Sequence, residues 1–225
     1  MMKDAAYLDW SRKADPSVLG RGIYRQRLKR LMDLVLAVAL LPMVAPLVAI
    51  LWLMVRLDGG PGFYWQERVG RDGRRFRFWK LRSMVTDADA ALRRACEADP
   101  RVAAEWHEMQ KLRHDPRVTR LGAVLRKTSL DELPQLWNVL RGDMSLIGPR
   151  PFTVEQEKLY VEAGGTAYFR LRPGVTGLWQ VEGRSATSFL ERIRFDNAYY
   201  ANLSLPLDLR ILWRTCAVVL RGTGC

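Results

Sequence analysis

Residues that build disulfides and transition-metal centres are scarce in this sequence. Its 225 residues include only three cysteines, Cys96, Cys216 and Cys225, and two histidines, His107 and His114. The cysteines are scattered without CxxC spacing, which argues against a disulfide framework or a zinc site and favours a reducing compartment. Two histidines also give little support to a Ser-His-Asp hydrolase.

Acidic residues are outnumbered by basic ones. The chain has 24 Asp and Glu against 36 Lys and Arg, a formal net charge of +12. Such an excess is typical of proteins with an anionic partner, which could be nucleic acid, an anionic membrane face or a phosphorylated substrate. No signal peptide is predicted, since the first apolar run begins only at Leu34 and no convincing small-residue cleavage site follows it.

Charge is absent from one long segment, the 22 residues of Leu34–Val55. A run of about 20 apolar residues is long enough to cross a bilayer as a helix. However, Pro42 and Pro46 lie at its centre, where each removes a backbone donor. The flanks are equally basic, because residues 14–33 and 56–75 each carry five Lys or Arg. Since basic flanks favour the cytoplasmic side, we expect a re-entrant helix broken near its middle, with a proline-kinked spanning helix as the alternative.

The length and the 48% apolar content predict one medium-sized domain. We assign it to the helix-rich α/β (α+β) class. We divide the chain into a polar N-terminal arm (residues 1–28), the membrane helix (29–57) and a compact cytoplasmic-facing domain (58–225). Helices are predicted over residues 87–113, 130–141, 153–163, 185–203 and 207–220. The last of these has a broad apolar face with interspersed arginines, so it is either a core helix or an amphipathic helix at the membrane interface.

An Asp-Gly turn separates two aromatic-rich runs after the apolar segment. Asp72 and Gly73 lie between residues 63–70 and 74–81, which predicts a β-hairpin. Its aromatic residues are interleaved with arginines, a pattern that fits a lipid headgroup layer or stacking on nucleobases. A half-buried hairpin with solvated arginines is the alternative.

Two adjacent carboxylates, Asp131 and Glu132, form the most informative motif. Ser129 and Glu132 have the spacing of a capping box, and Pro134 is typical of a first helical turn, so a helix N-terminus is predicted here. Such a terminus attracts phosphate, and Arg126 just upstream could neutralise a diphosphate. Adjacent carboxylates also suit a hard divalent metal, of which Mg²⁺ fits best. The alternative is that they only cap the helix.

Two further windows are candidates for phosphate binding. Arg150 lies between Pro149 and Pro151, whose restricted backbones would aim its guanidinium at one point. The Gly-rich, basic stretch Arg172–Gln180 could hold backbone amides close to a phosphate or nucleoside. It matches neither a Walker A nor a dinucleotide-binding pattern, and a rigid surface loop is the alternative for Arg150.

Taken together and in this order, the motifs resemble those of one family, the bacterial sugar transferases, or monotopic polyprenyl-phosphate phosphoglycosyl transferases. The resemblance runs from Lys29 to about the C-terminus. Pro46 falls where the family has a Ser-Pro helix break, although Ala45 stands here in place of the serine. The matching motifs are Lys29-Arg30-Leu31-Met32-Asp33, Gln66-Glu67-Arg68, Lys80-Leu81-Arg82-Ser83-Met84, Asp115-Pro116-Arg117-Val118-Thr119, Leu130-Asp131-Glu132-Leu133-Pro134-Gln135, Gly148-Pro149-Arg150-Pro151, Arg172-Pro173-Gly174 and Gly177-Leu178-Trp179-Gln180.

The resemblance implies a topology and an activity. It implies a re-entrant helix that begins at Lys29, Arg30 and Asp33, with a catalytic domain on the cytoplasmic face of a bacterial inner membrane. It implies a transferase that moves hexose 1-phosphate from a UDP-hexose to undecaprenyl phosphate and so initiates an exopolysaccharide. Among family members, the chain looks most like the compact ones that transfer galactose or glucose phosphate. A homo-oligomer is compatible with the resemblance, and no nucleic-acid partner is expected.

The resemblance also implies roles for individual residues. Asp131 is the expected nucleophile of a ping-pong reaction, in which UMP leaves and an aspartyl-phosphosugar forms. Glu132 is expected to hold Mg²⁺ together with Asp131, or to assist the acceptor. The expected phosphate and substrate ligands are Arg126, Arg150, Lys80, Arg82, Arg172 and Gln180.

Two other classes of function stay open on the sequence. The charge and the aromatic–arginine runs also fit a basic nucleic-acid-binding protein anchored at the membrane. The long charge-free run speaks against an ordinary soluble binder, which would not need it. A non-catalytic scaffold for polysaccharide assembly is the third reading, and it predicts that replacing Asp131 leaves function intact.

Overall fold

The computed structural model describes residues 23–109, 112, 114–183 and 189–220 of the protein. Its helices are α1 (Lys29–Arg56), α2 (Ala88–Ala98), α3 (Pro100–Met109), α4 (Arg120–Thr128), α5 (Gln135–Arg141), α6 (Val154–Glu162), α7 (Leu178–Glu182), α8 (Arg192–Asn202) and α9 (Leu205–Leu220). Its strands are β1 (Phe63–Val69), β2 (Arg75–Leu81), β3 (Ser145–Ile147) and β4 (Gly174–Thr176). This mixture confirms the helix-rich α/β class, whereas the predicted arm up to residue 22 lies outside the described residues.

Within the described residues, α1 is the one helix long and apolar enough to cross a membrane. Its 28 residues run without interruption through Pro42 and Pro46, so the structure has one helix where the sequence predicted two arms. Each proline removes only one backbone donor, and packing on both sides of the prolines holds the helical path. The buried stripe of α1 comprises Asp33, Ala37, Val44, Leu51 and Val55. Whether α1 re-enters the membrane or crosses it stays a prediction.

That stripe places one face of α1 against the rest of the domain along its whole length. The first half and centre of the helix pack into a core with Phe78, Ile147 and Tyr199. The second half packs into another core with Leu81 and Leu125. The opposite face exposes a row of large apolar side chains, namely Leu31, Val35, Val38, Leu40, Met43, Ile50, Leu53 and Met54. One face of α1 therefore contributes side chains to both hydrophobic cores, and the opposite face is a long exposed apolar surface.

The predicted hairpin is confirmed. β1 and β2 pair antiparallel, from Phe63 opposite Leu81 to Val69 opposite Arg75. Asp72 in the turn has a φ of 56°, the left-handed conformation that Asp adopts more readily than most residues. The hairpin carries the last residues of β2 to the turn between α4 and α5.

A short parallel strand pair brings two predicted motifs together. β3 and β4 pair with Ser145 opposite Gly174. The Gly148 amide then donates to the Thr176 carbonyl oxygen at 2.9 Å. A Cβ atom at position 148 would overlap the carbonyl oxygen of Arg172, so this close approach requires glycine. The loop that follows β3 is thus held against the segment that leads into β4.

A buried polar network fixes the start of α1 to the domain. The Nζ of Lys29 lies 3.2 Å from Asp33 Oδ1 and 3.2 Å from Asp208 Oδ2. The same Nζ donates to Ser145 Oγ at 2.7 Å. Asp208 also accepts a hydrogen bond from the Tyr24 hydroxyl at 2.5 Å. Lys29 and Asp33, predicted as a membrane-helix motif, therefore anchor that helix to β3 and α9.

The other end of α1 is fixed by Arg82, a residue predicted as a phosphate ligand. Arg82 is buried and forms an ion pair with Asp58. It donates to the carbonyl oxygen of Val55 at 3.0 Å and to that of Pro61 at 2.6 Å. Carbonyl groups at a helix end lack intrahelical partners, so the contacts of Arg82 are with the helix end and not with the carboxylate pair.

Candidate active site

Asp131 and Glu132 lie in a single 3-10 turn, Leu130–Glu132, between α4 and α5. Ser129 ends α4 with a φ of 59° and makes no side-chain cap, so the predicted capping box is wrong. α5 begins only at Gln135, which leaves the carboxylates ahead of the helix rather than in its first turn. A non-glycine residue with positive φ is uncommon and is found where the surrounding structure imposes it. Here it marks the bend that carries both carboxylates toward β2.

Two cations contact the pair from different parts of the chain. The Nζ of Lys80 lies 3.4 Å from Asp131 Oδ2 and 2.8 Å from Glu132 Oε1. The Nη2 of Arg150 lies 3.3 Å from the same Glu132 oxygen. Asp131 is only 5% exposed, so these charges interact in a partly desolvated setting where attraction is stronger than in water. The fold thereby brings two predicted phosphate ligands to the predicted catalytic carboxylates.

The two carboxylates are electrostatically unequal. Burial opposes ionisation of Glu132, but the charges of Lys80 and Arg150 outweigh it and lower its pKa to about 2. Burial raises the pKa of Asp131, and the negative charge of Glu132 adds to that rise. The positive charges of Lys80 and Arg126 act on Asp131 in the opposite direction. Neighbouring carboxylates whose pKa values are pushed apart are typical of groups with different tasks.

Arg126 acts on Asp131 through its charge. Its Nε donates to Ser83 Oγ at 3.0 Å. It forms no ion pair with a carboxylate among the residues that the structure describes. An arginine has five N–H donors, so others on Arg126 are available to an anionic substrate.

Two arginines that sequence reasoning did not place at the site support the loop of Arg150. Arg192 is 5% exposed and donates through Nη2 to the Arg150 carbonyl oxygen. The Nη1 of Arg68 donates to the Pro151 carbonyl oxygen at 3.4 Å. The Nε of each is buried without a hydrogen-bond partner in the described part of the chain. Arg68 belongs to the Gln66-Glu67-Arg68 motif, whereas no sequence signal marks Arg192.

Other predicted residues lie against backbone elsewhere. The Nε of Arg172 donates to the Gly142 carbonyl oxygen at 3.0 Å. The Nε2 of Gln180 donates to the Val175 carbonyl oxygen at 3.4 Å. Arg30 donates to two carbonyl oxygens at the end of α5, at 2.7 and 3.1 Å. These contacts tie the α1 start, α5 and β4 together, and substrate binding by Arg172 and Gln180 stays a prediction.

A metal at this site would find oxygen ligands. Among the described residues, no group of three or more His, Cys, Asp or Glu side chains is placed to hold an ion. Mg²⁺ is usually bound by one or two carboxylates and completed by water and substrate phosphates. Asp131 and Glu132 provide that donor set, so the site fits Mg²⁺ together with a phosphorylated substrate.

Comparison with known proteins gives a family match and close relatives. The bacterial sugar transferase family model matches residues 24–222. The chain is 50% identical over 197 residues to the UDP-galactose-lipid carrier transferase of Erwinia amylovora, which covers 88% of this chain and 41% of that protein. It is 46% identical over 197 residues to the undecaprenyl-phosphate galactose phosphotransferase of Salmonella typhimurium, with the same two coverages. It is 42% identical over 197 residues to the exopolysaccharide production protein ExoY of Sinorhizobium fredii, covering 87% of each chain.

The matched lengths differ among these relatives. The chain spans about two fifths of the first two proteins and most of ExoY. The family match includes α1, both sheets and the carboxylate pair. It confirms the resemblance found in the sequence motifs, and the chain belongs to the bacterial sugar transferase family.

Proposed function

We propose that this protein transfers hexose 1-phosphate from a UDP-hexose to undecaprenyl phosphate, releases UMP and so initiates an exopolysaccharide repeat unit. The observation that carries the proposal is the pair of buried Asp131 and half-buried Glu132, held by Lys80 and Arg150 in a chain of this family. One relative is an undecaprenyl-phosphate galactose phosphotransferase, which supports the proposed lipid acceptor, and another is an exopolysaccharide production protein, which supports the proposed product. Galactose and glucose are both candidates for the hexose.

Asp131 is the nucleophile in this proposal. One of its carboxylate oxygens bonds to the β-phosphorus of the UDP-hexose. The bond from that phosphorus to the bridging oxygen breaks, and UMP leaves with the electron pair. An oxygen of undecaprenyl phosphate then attacks the same phosphorus and releases the Asp131 carboxylate. Because burial raises the pKa of Asp131, its ionised form is more basic than an exposed carboxylate, which favours attack.

The neighbouring charges position the diphosphate. Glu132, with a pKa of about 2, stays ionised at neutral pH and keeps Lys80 and Arg150 in place. Both cations then face the position where negative charge develops as UMP leaves, which is the arrangement that stabilises a phosphoryl-transfer transition state. Mg²⁺ bound by Asp131 and Glu132 would supply further neutralisation of the diphosphate.

The packing of α1 supports a monotopic placement on the cytoplasmic face of the inner membrane. The start, centre and end of the helix contact one domain, through Lys29, Val44 and Val55. A helix that crossed the bilayer would have about 30 Å of its length in hydrocarbon, and this domain would have to lie there with it. The exposed apolar row of α1 instead suits contact with lipid on one side. This placement gives a cytoplasmic site access to a lipid phosphate.

Asp131→Asn tests the proposal, because it removes the nucleophile and keeps the side-chain size. UMP release from a panel of UDP-hexoses with undecaprenyl phosphate should fall about 10³-fold or more. Asp87→Asn is the matched control, since Asp87 is exposed and contacts Arg94 instead of the carboxylate pair. Wild-type-like release from Asp131→Asn would refute Asp131 as the nucleophile and leave the transferase function standing. Absence of UMP release by the wild type with every hexose would refute the function itself.

A further inference from the structure

A cavity lined by three arginines lies beside the start of α1, apart from the carboxylate site. Its volume is about 540 Å³, and none of its lining residues belongs to the carboxylate site. Three arginines line it from three segments that are distant in sequence. Arg25 comes from the helical segment before α1, Arg71 from the turn of the β1–β2 hairpin, and Arg170 from the 3-10 turn Ala167–Arg170. Only the folded chain brings them together.

The positive charge in this cavity is not balanced by the residues around it. Asp72 is the one carboxylate among the lining residues, and its Oδ2 lies 3.4 Å from Arg71 Nε. Neither Arg25 nor Arg170 has an ion pair with any carboxylate in the described part of the chain. The cavity therefore has an excess of two positive charges, which an anion would neutralise.

Arg25 is held in a fixed orientation. Its guanidinium carbon lies 3.7 Å from the centre of the Tyr200 ring, and its Nη1 donates to the Tyr200 carbonyl oxygen at 3.5 Å. Burial lowers the pKa of Arg25, and the charges of Arg170 and Arg71 lower it further. A guanidinium that is stacked, desolvated and close to like charges is preorganised for an anionic ligand.

The cavity lies next to residues suited to contact lipid. Ile23 and Leu28, on either side of Arg25, expose large apolar side chains immediately before the membrane helix. The hydrogen bond from Tyr24 to Asp208 brings this segment beside the start of α9, where Leu205 and Leu209 are also exposed. Apolar side chains around a cluster of arginines match the boundary between hydrocarbon and headgroups.

We propose that the Arg25–Arg71–Arg170 cavity binds the phosphate group of a membrane lipid, at a site separate from the carboxylate pair. Arginine forks recognise phosphate oxygens in pairs, and the cavity volume is in the range of small-ligand sites. The lipid source is favoured over a soluble phosphate because the neighbouring apolar side chains would contact its acyl chains. Occupation would fix the hairpin turn and the start of α1 at the membrane surface.

The test measures binding of phosphatidylglycerol, labelled on its acyl chain, to the full chain in neutral detergent micelles. The double variant Arg71→Gln with Arg170→Gln should weaken binding about tenfold or more, since charge-assisted hydrogen bonds to phosphate are lost. The matched control is Arg93→Gln with Arg101→Gln, which removes two charges from exposed positions of α2 and α3. The control should bind within about twofold of the wild type.

Four results would overturn the proposal. Equal weakening by both double variants would indicate a general charge effect, and no weakening by the cavity variant would exclude the site. Displacement of the lipid by millimolar inorganic phosphate would indicate a soluble anion instead. UMP release by the cavity variant at saturating substrates should match that of the wild type, and its loss would place these arginines in the catalytic site. Failure of the wild type to release UMP would refute the proposed transferase function and leave the lipid-binding result unaffected.

Discussion

Lys80 is the side chain that links the two carboxylates, as it contacts both. Lys80→Met keeps the length and removes the charge, so the pKa values of Asp131 and Glu132 should both rise. We expect kcat/KM for UMP release to fall about 100-fold or more. The acid limb of its pH profile should move to higher pH. Lys158→Met is the control, because this exposed lysine pairs with Glu162 and not with the site. An unmoved acid limb in Lys80→Met would contradict the assigned contacts.

The same contact has a consequence for stability. Glu132 has a folded-state pKa of about 2, below its usual value of 4.5. A depressed pKa means that ionisation stabilises the fold above the unfolded-state pKa, and that this contribution is lost as the pH falls toward 2. In Lys80→Met the folded-state pKa rises toward the unfolded value, so the acid-dependent loss seen in thermal unfolding should be smaller and complete at a higher pH than in the wild type.

Arg192 positions the backbone of Arg150 and does not contact the carboxylates. Its guanidinium stacks on Trp179 and Phe189, and it donates to the Arg150 carbonyl oxygen. Arg192→Leu should lower kcat/KM about ten- to a hundredfold, since a small displacement of a phosphate ligand is costly. Arg192→Lys should recover part of the activity because lysine can donate to the same carbonyl oxygen. Lower melting temperature with unchanged kcat/KM of the folded protein would mean a purely structural role.

Sequence reasoning could single out Asp131, Glu132 and Arg150 because their motifs are local and rich in charge, and the structure brings Arg150 to Glu132. It could not separate Lys80 from Arg82, which share one motif and are two residues apart. β2 ends at Leu81, so Arg82 lies just beyond the strand. Its side chain contacts the end of α1. The Val55 carbonyl oxygen that accepts from Arg82 belongs to a segment distant in sequence, so no local pattern predicts this contact.

At the scale of elements, the turn before α5 shows how one local pattern fits two structures. The Ser-x-x-Glu spacing at Ser129 is compatible with a capping box. In the structure, Ser129 instead closes α4, and its amide donates to the Arg126 carbonyl oxygen at 3.2 Å. The helix that the sequence predicted over 130–141 is therefore shorter and begins at Gln135. Tertiary contacts of the carboxylates with β2 favour the second structure.

The start of α1 depends on a lysine that lies between two acidic side chains. Lys29→Met would leave Asp33 and Asp208 buried without that cation. Removing one partner of a buried ion pair is strongly destabilising, so the free energy of unfolding should fall by about 3 kcal/mol. Melting temperatures of variant and wild type in the same detergent would measure this. Lys127→Met, at an exposed position of α4, is the control, and equal melting temperatures for the two variants would show that the network contributes nothing.

At the scale of the whole molecule, the topology of α1 is open to direct measurement. Cysteines can be introduced at Ile23 and Leu57, whose side chains are 71% and 82% exposed at the two ends of the helix. The background replaces the native cysteines Cys96, Cys216 and Cys225 with serine. Since one domain holds both ends of α1, both positions should resist an impermeant thiol reagent in cells with an opened outer membrane. Labelling of one end alone would mean a spanning helix.

The packing of the helices and strands against one another was less predictable from the sequence than the helices and strands themselves. The hairpin and most helices follow from turn residues and periodicity, which are local signals. β3 and β4 have three residues each and pair in parallel across a long connection, so neither has a detectable pattern. Their pairing is what places the Arg150 loop, and Arg192 reaches that loop from α8. Contacts between distant short segments therefore decide the site geometry.

The polar network at the start of α1 joins residues that a ribosome produces far apart in time. Tyr24 and Asp208 are separated by 184 positions, and Lys29 and Ser145 by 116. At synthesis rates of roughly 5–20 residues per second, Tyr24 waits roughly 10–40 s for Asp208. During that interval the apolar side chains of α1 would have lipid available, whereas α9, which carries Asp208, has not yet been synthesised. In the proposed membrane placement, the bilayer is then the first partner of α1, and the nascent domain completes its cores on a helix that already lies in lipid.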